Sequence, residues 1–118
     1  MYGLEKSLNL QFLIGRELLQ LCIGLCQVIM RFSEDTSISI ECDLRFTGKN
    51  GEIIYLLDIP ESSKYLFCLL GMEIVDVMKK DAGDLTLVFS NGFELTLIDS
   101  NESTESYTIT TPEQEVVV

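Results

Sequence analysis

Two pairs of carboxylates have the residue type and spacing that proton transfer would need. Glu41 and Asp43 lie two apart, on one face of an extended strand. Glu17 and Glu73 occupy matching positions in two similar stretches. General acid/base work requires two such groups whose surroundings separate their pKa values, and a solvated strand face does not supply that. Asp81 with Asp84, and Asp99 with Glu102 and Glu105, could approach one cation, but neither group follows the oxygen-ligand spacing of a calcium loop. Cys22, Cys26, Cys42 and Cys68 are the candidate nucleophiles, and the chain has no His. Ser-His-Asp and Cys-His catalysis, His metal sites and His-based pH switching are therefore excluded. Arg31 and Arg45 are the cations left to favour a thiolate. Only Cys22 and Cys26 are close in sequence, and not at the C-x2-C spacing of structural zinc. Gly48-Lys49-Asn50-Gly51 lacks the spacing and following helix of a phosphate loop. The expectation is a protein that is not an enzyme, with no catalytic residue, metal or cofactor.

The charge is more informative. The 118 residues carry 19 acidic and 8 basic side chains, a net charge of -11. All 8 basic residues and 11 of the acids fall in residues 1–80. The other 8 acids, Asp81, Asp84, Glu94, Asp99, Glu102, Glu105, Glu113 and Glu115, follow Lys80 with no Lys or Arg among them. This balance argues against direct nucleic-acid binding, which needs clustered Lys and Arg. It suits a negative face that steers a basic partner. Asp81, Asp84, Glu94, Asp99, Glu102 and Glu105 are the expected interface acids, with Tyr107, and also Tyr55, as aromatic anchors.

An internal repeat indicates which elements carry these residues. Leu13-Ile14-Gly15-Arg16-Glu17-Leu18 resembles Leu69-Leu70-Gly71-Met72-Glu73-Ile74. Val28-Ile29-Met30-Arg31-Phe32-Ser33 resembles Leu85-Thr86-Leu87-Val88-Phe89-Ser90, and Ile38-Ser39-Ile40 resembles Leu95-Thr96-Leu97. Three matches in order, with one inserted residue, imply a shared supersecondary unit. In the second copy, Leu85, Leu87 and Phe89 alternate with more polar neighbours, so 73–78 and 84–90 read as a hairpin. By analogy 17–22 and 26–32 form another, turning at Ile23-Gly24-Leu25, with Val28, Met30 and Phe32 inward. Asn91-Gly92 predicts a type I′ turn into 93–98. Ile38, Ile40, Cys42, Leu44 and Phe46 alternate with polar residues and read as one strand face, turning at 48–51 into 52–59. Residues 100–105 turn into 106–110. Helices are expected over 5–14 and from Pro60, with Leu66, Leu69 and Leu70 at helical spacing and Gly15 and Gly71 as left-handed caps. The expected fold class is α+β and predominantly β: a single domain over 1–118, built of two similar halves (about 5–59 and 60–111), each a helix plus a four-stranded antiparallel meander. Residues 112–118 are expected to form a flexible tail.

The N-terminus lacks the basic and apolar regions of a signal peptide. The longest apolar run, 18–30, is shorter than the roughly 20 residues a bilayer span requires. The cysteine spacing does not read as a secreted disulfide framework, so buried free thiols and a cytoplasmic location are expected, with no membrane association.

The repeated block, Leu/Ile-Gly-x-Glu-Leu/Ile followed by the Leu-x-Leu-x-Phe-Ser-Asn-Gly-x-x-Leu-x-Leu of residues 85–97, resembles small bacterial proteins. Several of these look like immunity proteins of contact-dependent growth inhibition and related toxin systems. The resemblance covers about residues 10–110 and rests on structural glycines and core positions. The first copy departs from it, with Ser33-Glu34-Asp35-Thr36 in place of Ser-Asn-Gly. The resemblance implies an immunity or inhibitor protein that binds a cognate toxin domain, often a nuclease with a basic cleft, and covers that site. The chain would act as a monomer or weak homodimer. A protein-interaction module with a different partner is the other reading.

Overall fold

The computed structural model describes residues 9–56, 61–79, 83–99 and 106–118. The chain is predominantly β, and among the described residues ten strands form two five-stranded antiparallel sheets. The first sheet has the order β1 (Leu18–Ile23), β2 (Val28–Phe32), β3 (Thr36–Ile40), β9 (Tyr107–Thr110) and β10 (Glu115–Val117). The second has the order β5 (Ile53–Leu56), β4 (Asp43–Thr47), β8 (Glu94–Ile98), β7 (Leu85–Phe89) and β6 (Ile74–Lys79). Each sheet therefore takes three meander strands from one half of the chain and a hairpin from the other. Two separate four-stranded meanders are not what forms.

This exchange turns on Glu41 and Cys42. β3 ends at Ile40 and pairs with β9, whereas β4 begins at Asp43 and pairs with β8. Residues 38–46 are thus two strands in two sheets. Cys42, between them, still packs against the core, so the inward alternation continues across the crossing. One hydrophobic cluster joins both inner faces, with Val28, Met30, Phe32, Ile38 and Ile40 from the first sheet and Leu44, Leu85, Leu87, Phe89, Leu95 and Leu97 from the second.

The sheets are also joined edge to edge by a symmetric set of backbone bonds. Gly15 N–H donates to Ile74 O at 2.7 Å, and its repeat counterpart, Gly71 N–H, donates to Leu18 O at 2.8 Å. Leu18 N–H to Met72 O and Ile74 N–H to Arg16 O are both 2.9 Å. Gly15 and Gly71 have φ values of 93° and 82°, a left-handed conformation that costs glycine little. The expectation of positive φ at these two positions is met.

The helical segments differ from expectation. In the first half the described part is a 3-10 turn at Gln11–Leu13, where Asn9 Oδ1 accepts Gln11 N–H and Ile14 is already extended. Such a local side-chain bond competes with continued helix; residues 5–8 lie outside the described residues. Glu61–Leu69 is a 3-10 helix rather than an α-helix. Its buried residues, Ser63, Leu66 and Leu69, recur every third position, which matches three residues per turn; Leu70 is exposed.

Two further expectations are corrected. Asn91 does not take positive φ; Gly92 does, at 89°, and its N–H donates to Phe89 O. Phe89 N–H donates to Phe93 O, so the loop is the three-residue form rather than a type I′ turn. Residues 112–118 are not a free tail: β10 pairs with β9, Val118 is fully buried, and its backbone bonds Tyr107 and Ser106. Among the described residues no helix is long and apolar enough to cross a membrane.

Candidate functional site

The outer face of the second sheet is built by period-two alternation in five strands. Because Leu44, Phe46, Leu95, Leu97, Leu85 and Leu87 face the core, Asp43, Arg45, Thr47, Glu94, Thr96, Ile98, Thr86 and Val88 lie on the other side, where Thr86 and Thr96 at the centre are themselves buried. The register aligns them in rows. One row reads Tyr55, Arg45, Thr96, Thr86, Met78. The next reads Ile53, Thr47, Glu94, Val88, Asp76. Asp43, opposite Ile98, opens a third. Arg45 Nη2 donates to Thr96 Oγ1 at 3.4 Å, and Thr96 Oγ1 lies 2.7 Å from Thr86 Oγ1. A polar chain thus runs across the middle of the face. Ile53 and Tyr55 at one edge are 58% and 56% exposed, and Val75 and Met78 at the other are also exposed. The face combines three acids, one Arg and apolar groups at both edges.

The first sheet differs. Its outward rows are Cys22, Ile29, Ser39, Thr108, Val117 and Gln20, Arg31, Ser37, Thr110, Glu115. Four of these ten residues carry hydroxyls, and the second row holds one cation, Arg31, and one acid, Glu115, at its far end.

Of the acids expected at the interface, Glu94 lies on the second sheet's outer face. Asp84 and Asp99 come together away from it, beyond the opposite end of β8. Asp84 Oδ1 accepts Asp99 N–H at 2.8 Å, and Asp99 Oδ1 accepts Ser106 Oγ at 2.7 Å. Both are half-buried, and these bonds hold the chain segments around 84, 99 and 106 together. Asp81, Glu102 and Glu105 lie outside the described residues. Tyr107 is corrected: it is 1% exposed, and its hydroxyl donates to Gly83 O at 2.7 Å. It is a core residue and cannot touch a partner. Burial foremost, then the charges of Cys42, Asp99 and Asp84, pushes its phenol up from the ordinary value. Asp43 and Asp76 were not among the expected acids because they precede Lys80. The alternation of Asp43 with Leu44 and Phe46 was a signal for its outward position.

The other chemical candidates disperse. Glu41 lies in the crossing and Asp43 begins the next strand, so they do not share a strand. Glu17 and Glu73 face each other across one antiparallel bridge, both exposed. All four thiols are free, as expected, but Cys26 and Cys68 are exposed and Cys22 and Cys42 only half-buried. Desolvation of Cys42, partly offset by hydrogen bonding to backbone, pushes its thiol up to about 12. That is the opposite of an activated nucleophile. Among the described residues no three Cys, Asp or Glu side chains gather to hold a metal ion.

Two clefts lie between one half's 3-10 segment and the hairpin turn that the other half packs beside it. One cleft, of about 370 Å³, lies between the 3-10 helix and the β4–β5 turn and has Phe46, Tyr65 and Phe93 in its wall. The other, of about 220 Å³, lies between Phe12, Arg16, Glu34 and the turn at 111–114.

A family model described as "Family of unknown function (DUF6188)" matches residues 10–118. No curated protein and no solved structure matches the chain.

Proposed function

The chain belongs to this family of unknown function, and from its surface chemistry we propose that it is a non-catalytic binding protein: an immunity or inhibitor protein that covers the basic site of a cognate toxin domain. One observation carries this reading. The second sheet's outer side carries Asp43, Asp76 and Glu94 against a single Arg, between apolar edges containing Ile53, Tyr55 and Met78, whereas the outward rows of the first sheet carry one acid, Glu115, and one Arg. Aromatic and apolar anchors supply contact energy, while charge steers encounter and disfavours wrong partners. A basic nuclease cleft has the complementary sign. Steering of this kind raises association toward about 10⁸–10⁹ M⁻¹s⁻¹ at low salt.

The location of the acids determines the test. Asp84 and Asp99 accept internal hydrogen bonds, so their replacement would disturb the fold as well as any interface. Asp43 and Asp76 are exposed and Glu94 half-buried on the second sheet's outer side, and Asp76 Oδ1 accepts the N–H of its neighbour Val77 at 2.8 Å rather than a bond from a distant segment. Asp43→Lys, Asp76→Lys and Glu94→Lys together should abolish capture of a basic nuclease toxin domain from the same genome, with the fold intact by circular dichroism. Tyr55→Ala should raise the dissociation rate with little effect on association. If capture persists in the triple variant, the acidic face is not the interface.

A further inference from the structure

The two clefts occupy equivalent places in the repeated fold, which makes their linings comparable. Gly15 matches Gly71, so Phe12 matches Cys68 and Arg16 matches Met72. The β4–β5 turn at 48–52 matches the β9–β10 turn at 111–114. The linings have diverged. The cleft beside the first 3-10 segment has one ring, Phe12, and is lined by Arg16, Glu34 and Glu113. The cleft beside the second 3-10 segment has three rings and two cations, Lys49 and Lys64, beside one carboxylate, Glu52. The fold alone does not require an aromatic and cationic lining there, since the equivalent cleft is polar and acidic.

The rings form a preassembled wall. Phe46 and Phe93 meet edge-on with centroids 5.2 Å apart, and Tyr65 lies 6.0 Å from Phe46. Another ring could join this cluster by an offset or edge contact. The volume, about 370 Å³, is that of a small-ligand pocket. Both lysines stand exposed at the rim. Lys64 Nζ sits 5.5 Å from the Tyr65 ring centroid. The Lys49 stem lies so close to Gly92 that a Cβ there would stand 3.2 Å from it. Glu52 folds against Gly48, its Oε1 3.4 Å from where a Cβ would sit. Two cations against one carboxylate leave a positive spot on a chain of net charge -11.

We propose that this cleft binds a small aromatic carboxylate, its ring against Phe46, Tyr65 and Phe93 and its carboxylate between Lys49 and Lys64. The ligand is a free small molecule, because the site is concave and one or two rings fill it. It is independent of the acidic face, so either reading can fail alone.

The full chain, isotope-labelled, is titrated with 2-naphthoate, 2-naphthalenemethanol and 2-naphthylmethylammonium while amide shifts are recorded. Naphthoate should bind with a dissociation constant of about 1 mM or tighter and perturb residues 48–50, Tyr65 and Phe93. The alcohol and the ammonium should bind at least about tenfold more weakly, given the charge of the rim. Lys49→Gln with Lys64→Gln should erase the preference for naphthoate without altering the thermal midpoint, since both lysines are exposed. Three results would overturn the site: no perturbation of the cleft, equal binding of alcohol and carboxylate, or a preference unaffected by the double substitution.

Discussion

Glu17 and Glu73, equivalent residues of the two halves, face each other across an isolated antiparallel bridge where the two sheets meet. The flanking bonds, Leu18 N–H to Met72 O and Ile74 N–H to Arg16 O, identify it as a non-hydrogen-bonded pair. Such pairs bring side chains closest, with Cα atoms about 4.5 Å apart. The symmetry extends outward: Ser33 Oγ accepts Glu17 N–H and Ser90 Oγ accepts Glu73 N–H. The join places like charges opposite each other, which is unfavourable. Glu17→Lys or Glu73→Lys alone should raise stability by about 0.5–1 kcal/mol, and both together should return it close to the parent value. Urea denaturation of the four chains measures this. Additive gains would show that the two side chains do not interact.

Cys42 sets a limit at alkaline pH. Its thiol is raised by burial from 9.0 to about 12 in the fold, whereas in the unfolded chain it ionises near the ordinary value. Between these values the folded state binds more protons, so stability falls as pH rises from about 9 towards 12. Tyr107, also raised by burial, adds to the fall above its ordinary value of 10.0. Urea midpoints measured across this range should decline, less steeply in Cys42→Ala. At about pH 8 a thiol reagent should label exposed Cys26 readily and Cys42 only on unfolding.

The two equivalent hairpin loops differ in strain. Glu34 and Asp35 sit at φ 61° and 53°, in the left-handed region that favours glycine. Glu34→Gly should stabilise the chain by about 0.5–1 kcal/mol, the relief of strain exceeding the entropy glycine adds to the unfolded chain. In the other loop, Gly92→Ala should cost at least about 1 kcal/mol, because both the positive φ and the nearby Lys49 stem oppose a Cβ. Thermal denaturation of both variants gives the comparison; a destabilised Glu34→Gly would refute the strain argument.

Much of the β-structure was legible because a period of two shows directly in side chains. The inward sets Val28, Met30, Phe32 and Leu85, Leu87, Phe89 are buried where the alternation put them. The exchange of hairpins was hidden by the same regularity. Cys42 packs inward between the sheets, so residues 38–46 keep their phase while crossing, and no break marks the corner. β10 leaves no mark in the sequence, because three residues are too few to show alternation. Tyr107 carries a signal of its own against a surface role: it shares a parity with Ile109, and both are buried. The clefts could not be read, because they depend on residues near 46, 65 and 93 meeting through pairings between the two halves.

The central claim is that the second sheet's acidic face binds a basic toxin domain. It is tested most directly by growth of cells co-expressing this chain with a basic nuclease toxin domain from the same genome. The account predicts rescue by the parent chain and loss of rescue with Asp43→Lys, Asp76→Lys and Glu94→Lys combined, with capture of the toxin weakening steeply as salt is raised. Failure of the parent chain to rescue, or equal rescue by the reversed face, would contradict it.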